Sequence, residues 1–113
     1  MGAIVQRINY ATGSVLTGDD IAHALVAYAN ALAQTGTSDM VAFPVLLDTG
    51  SVDIAEVIVG PSSQIMTVPE PSDRDDVTDE EVVREIVRRT DALGLSRPQP
   101  EAPRVEEDED YVL

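Results

Sequence analysis

A chain of 113 residues has room for one domain, and this one carries 21 acidic against seven basic residues, a formal net charge of −14. All seven basic residues are arginine and cysteine is absent, which excludes disulfides, thiolate metal sites and cysteine nucleophiles. A field of that sign repels phosphates and anionic lipid heads, so neither direct nucleic-acid binding nor membrane binding is expected.

The first ten residues, MGAIVQRINY, lack a basic stretch followed by an apolar one, so they do not read as a secretory leader. No apolar run approaches the roughly 18 residues of a membrane span. The expectation is a cytoplasmic protein.

Residues 3–10 alternate, with Ile4, Ile8 and Tyr10 on one side and Arg7 and Asn9 on the other, as in a half-buried strand. Gly13 ends it. Thr17 stands as an N-cap with Asp20 in capping-box position, and a helix is expected over 18–34. Ile21, Leu25, Tyr28 and Leu32 form its apolar stripe, and Gly36 is placed to stop it.

Residues 41–47 and 51–59 read as strands joined by a Thr49-Gly50 turn, a spacing that pairs Val45 with Ile54 and Phe43 with Glu56. Pro44 cannot donate to a ladder and points to an edge or a bulge there. A turn at Gly60-Pro61-Ser62-Ser63 precedes a short strand over 64–68. Pro69 and Pro71 close this core, and Thr78 with Glu81 opens a second helix ending at Gly94. Beyond it, a proline-punctuated acidic stretch has the composition of a disordered tail.

The expected organisation is therefore an α+β core domain over 1–68, an acidic linker over 69–77, a helix over 78–94 and a disordered tail over 95–113. The element order is β-α-β-β-β-α, a small, mostly antiparallel sheet with one helix packed on a face.

Asp48-Thr49-Gly50-Ser51, preceded by Val45-Leu46-Leu47, resembles the catalytic motif of retropepsin-type aspartic proteases, and Val57-Ile58-Val59-Gly60-Pro61 resembles their second apolar-Gly segment. That resemblance implies a dimer in which two Asp48 carboxylates share a proton. The spacing defeats it, because no flap hairpin fits between Asp48 and the Val-Gly-Pro segment. An Asp-X-Gly hairpin turn accounts for the same residues.

Gly13 to Gly18 has the glycine spacing of a Walker A loop, but Asp19 and Asp20 stand where lysine and a hydroxyl are required. His23, the only histidine, falls opposite the apolar stripe of its helix, and a single histidine without cysteine cannot make an ordinary zinc site. Asp73 to Asp76 lacks the glycine of an EF-hand loop. Arg84, Arg88 and Arg89 are explained by i,i+4 pairs with Glu80 and Glu85.

The terminal EEDEDYVL suits capture by a basic, hydrophobic groove, and it loosely resembles the acidic tips of bacterial single-stranded-DNA-binding proteins. YATGSVLTGDDIAHAL and VIVGPSSQI resemble stretches of short uncharacterised actinobacterial proteins, across about the first two-thirds of the chain. That resemblance implies a bacterial cytoplasmic origin and no catalytic activity.

The expected function is a non-enzymatic interaction or regulatory module that binds a protein partner through residues 78–94, the tail, or both. The partner should offer a basic or hydrophobic groove, and the tail residues concerned are Glu107, Asp108, Glu109, Asp110, Tyr111, Val112 and Leu113. A nucleic-acid mimic that occupies a basic cleft is the alternative, and the dimeric protease through Asp48 comes third. No cofactor or metal is called for. A homodimer through Val26, Val87 and the edge strand stays open. The deciding observation is whether residues 78–94 dock on the core.

Overall fold

The computed structural model describes residues 2–11 and 13–94. Its elements in chain order are β1 (Ala3–Tyr10), β2 (Gly13–Thr17), α1 (Asp19–Thr35), β3 (Asp39–Leu46), β4 (Val52–Val59), β5 (Ile65–Ser72) and α2 (Glu80–Ala92). The strands form one five-stranded sheet in the order β4-β3-β2-β1-β5, with every neighbouring pair antiparallel. The α+β class and the expected succession of strands and helices hold. One further strand, β2, occupies the stretch read as a strand-to-helix connection.

That strand forms because the chain reverses after Tyr10. Ala11 takes a positive φ of 52°, and Gly13 to Thr17 then runs back along β1, with Tyr10 opposite Gly13 and Gln6 opposite Thr17. The glycine spacing that imitates a phosphate loop thus sits on a hydrogen-bonded ladder.

Thr17 does not cap α1. It ends β2 with its side chain wholly buried, and its Oγ1 donates to Pro44 O at 2.7 Å. The N-cap is Gly18, without a side-chain bond, while Asp19 and Asp20 fill the first turn where the dipole favours anions. The stripe Ile21, Leu25, Tyr28 and Leu32 is buried as expected, and Gly36 at φ 70° supplies the left-handed stop.

The β3–β4 register differs from the expected one by a single residue. Phe43 stands opposite Ala55, Val45 opposite Asp53 and Leu46 opposite Val52. The loop is longer than two residues: Gly50 N donates to Leu47 O at 2.8 Å, and Leu47 N to Ser51 O at 2.8 Å. Gly50 at φ 90° takes the extra residue, as in a bulged turn. A one-residue slip moves a whole strand to the other face, and burial decides between the two registers. In the observed one, buried Val41 and Phe43 stand beside half-buried Val57 and Ala55 and not beside Glu56.

Residues 69–77, expected as a linker, contribute to the domain. β5 continues through Pro69 and Pro71 to Ser72, which an outermost strand tolerates because one side needs no donors. Val77 is buried in the core, and its carbonyl lies so close to Gly18 that a Cβ there would overlap it. Asp79, one residue later than expected, caps α2 by accepting from Val82 N at 3.2 Å. α2 docks. Ile86 is buried, and Val82, Val83 and Leu93 pack on the same core as α1. No described helix is long and apolar enough to cross a membrane.

Candidate functional site

Residues Glu107 to Leu113 lie outside the described part of the chain. Asp48 is exposed in the β3–β4 turn, whose backbone bonds and Thr49–Ser51 hydroxyl contact at 2.8 Å account for the Asp-Thr-Gly-Ser sequence. His23 is exposed, with Nδ1 3.6 Å from Asp19 Oδ2. Among the described residues no group of three or more His, Asp or Glu is arranged to hold a metal ion.

Arg88 and Arg89 of α2 are engaged. Glu85 accepts from Arg88 Nε at 3.0 Å and Nη2 at 2.7 Å, and from Arg89 Nε at 2.9 Å. The two guanidiniums, Arg88 first, hold the Glu85 carboxyl down at about 2. Arg89 also donates to Asp39 Oδ2 at 3.0 Å, and Tyr28 Oη donates to the same oxygen at 2.6 Å. The Tyr28 bond is the main reason Asp39 titrates below the usual carboxylate range, while burial is the main cause that raises Tyr28. This cluster joins α1, β3 and α2, which makes it a structural clamp. Arg84 instead lines a cleft beside the first turns of α1 and α2, with Asp20, Asp79 and Val87.

Both helices cover one face of the sheet, where Val41, Phe43 and Val45 meet the α1 stripe. On the other face Val5, Pro44 and Leu46 are buried, while Met40, Val52, Ile54 and Ile58 on β3 and β4 and Met66 and Val68 on β5 are exposed. All six are more than two-fifths exposed, Ile54 and Ile58 at 60% and 61%. Met40 stands opposite Ile58 at one end of the β3–β4 pair, and Ile54 and Val52 stand opposite buried Pro44 and Leu46 at the other, with Ala42 and the exposed Glu56 between them. Its charges are acidic or neutralised. Glu56 lies between Ile54 and Ile58 along the strand, and Arg7 is held by Glu70 at 2.7 and 3.0 Å and by Ser14 Oγ at 2.9 Å. Those contacts raise Arg7 and lower Glu70, each chiefly through their mutual hydrogen bond.

β4 also bounds the sheet, with a strand neighbour on one side only. Part of this edge is occupied from within the chain: Asp53 Oδ1 accepts from Ile54 N at 2.8 Å, and Tyr10 Oη donates to Ile58 O. Sequence reasoning passed over this surface. The signal was that VDIAEVIV carries large apolar residues at both parities, one set more than a strand buried on a single face requires.

A second feature lies on the helix side. β2 and β3 are paired only at Leu16 and Leu46, and beyond that point the two strands part. The opening holds an apolar recess of about 200 Å³ lined by Ile8, Val15, Leu25, Phe43, Val57 and Ile65.

No protein-family model, curated protein or solved structure matches this chain.

Proposed function

We propose that the chain is a non-enzymatic interaction module of a bacterial cytoplasm, and that its partner is a protein with a basic or hydrophobic surface. The observation that carries this reading is the open sheet face, an apolar surface on β3 and β4 among carboxylates and one neutralised arginine. Monomers rarely leave a large apolar patch in water unless it meets something. Because α2 spends its apolar side on the core, the sheet face replaces it as the principal docking element in this proposal. The tail residues Glu107 to Leu113 remain the second element, and their charge would speed encounter with a cationic partner.

A nucleic-acid mimic calls for a folded surface lined by carboxylates, and a face with exposed apolar side chains on β3, β4 and β5 favours a protein partner instead. Asp48 in a solvated turn supports the non-enzymatic reading. The test is quantitative capture from a bacterial lysate with the full chain, with Ile54→Glu/Ile58→Glu, and with a chain ended after Gly94. The double variant should lose the captured protein, and the shortened chain should bind it more weakly and with less salt dependence. Equal capture by all three would refute the proposal.

A further inference from the structure

The recess between β2 and β3 is independent of the sheet face, and we propose that it binds a small uncharged apolar molecule, a ring or a short alkyl chain. Its volume of about 200 Å³ sets the size of the occupant. An apolar cavity of about 150 Å³ takes up benzene, whereas drug-sized and cofactor sites run to roughly 300–1,000 Å³. A nucleotide or a flavin is too large, and a six-carbon alcohol fits.

The lining sets the chemistry. Aliphatic side chains from β1, β2, β4, β5 and α1 meet Phe43 there, and among the described residues no ionisable group except the Tyr10 phenol faces in. The Tyr10 hydroxyl is already committed to Ile58 O, and the Ser14 hydroxyl at the rim accepts from Arg7. Arg7, the nearest cation in contact with the rim, is held by Glu70. A carboxylate head would therefore meet no positive charge among the described lining residues, on a chain of net charge −14, which argues against fatty-acid anions. A cation would find no carboxylate in the lining. The neutral apolar molecule is what remains.

Gly13, one of the lining residues, is exposed, and a Cβ built there meets no atom within 4 Å, so a larger side chain has room at the rim. The recess is partly open to solvent. It arises because a single residue pair joins β2 to β3, while the Tyr10–Ile58 bond ties β1 to β4 beyond the opening.

The experiment uses the full chain with benzene, 1-hexanol and hexanoate as probes at neutral pH. It reads thermal melting and intermolecular NOEs to the methyl groups of Ile8, Val15, Leu25, Val57 and Ile65. At a free concentration about three times Kd, benzene and 1-hexanol should raise Tm by about 3–6 °C and give NOEs to those methyls. Hexanoate should do neither. Gly13→Leu, which places a side chain in the open rim, should weaken 1-hexanol at least tenfold, and Val57→Phe should do the same from the inside. The NOEs need no variant and decide the matter even if a substituted chain fails to fold. Neutral probes without NOEs to these methyls, hexanoate binding as tightly as 1-hexanol, or unchanged Kd in folded variants would overturn the proposal.

Discussion

Tyr28 donates to Asp39 Oδ2 at 2.6 Å, and that oxygen also accepts from Arg89 at 3.0 Å, so one carboxylate fastens both helices to β3. Tyr28→Phe keeps the buried ring and removes only the donor. It should cost about 1 kcal/mol, the usual net value of such a bond, read as a lower urea midpoint with an unchanged slope. An unchanged midpoint would mean that Arg89 alone holds Asp39.

The paired carboxylates also set an acid limit on stability. Glu85 is held at about 2, and Asp39 and Glu70 lie below their ordinary values. A depressed carboxyl stabilises the fold while it is ionised, so its contribution is complete above the unfolded value near 4.3 and is lost as pH falls through the folded one. Urea midpoints of wild type and Glu85→Gln should differ most above about pH 4.5 and converge toward about pH 2. A constant difference across that range would contradict the assignment.

Docking of α2 rests on Ile86, which is 2% exposed. Ile86→Ala should cost about 2–4 kcal/mol, and a chain ended at Ser72 should lose its cooperative unfolding transition because Ile21 and its neighbours would be uncovered. Circular dichroism during thermal unfolding reads both. A stable, cooperatively unfolding 1–72 fragment would show that α2 is accessory.

Two glycines should respond differently. Gly50 has φ 90°, a conformation that side-chain-bearing residues rarely adopt, while the Arg74 guanidinium beside it can swing away from an added Cβ. Gly50→Ala should therefore lose about 1–2 kcal/mol. Gly13 has open space around its missing Cβ, and Gly13→Ala should stay within about 0.5 kcal/mol of wild type.

Ile54 and Ile58 are exposed, so Ile54→Thr and Ile58→Thr should each change stability by no more than about 0.5 kcal/mol while lowering the fluorescence of a dye that binds apolar surface. A large loss of stability would show that these side chains support the fold instead of serving a partner.

Much of the fold could be read from local pattern. The α1 stripe, the Gly36 stop and the strands around residues 41–59 follow from periodicity and turn chemistry within a few residues, whereas Pro44, expected at an edge or a bulge, lies in β3 between β4 and β2. Pro69 and Pro71 read locally as the end of the domain, yet they lie in an outermost strand where their missing donors cost nothing. Thr17 and Thr78 both looked like caps. Thr17 is drawn inward by Pro44 O, twenty-seven residues on, and Asp79 takes the cap that Thr78 was assigned.

The sequence by itself determined the class of elements, the charge of −14 and the failure of the P-loop and zinc readings, because each depends on residue type and short spacing. The tertiary structure decided the partner of Phe43, the docking of α2, the open sheet face and the recess beside β2. Those depend on contacts between distant positions, such as Leu16 with Leu46 and Asp39 with Arg89. Two registers one residue apart satisfy the same turn chemistry, and only burial of the whole strand separates them.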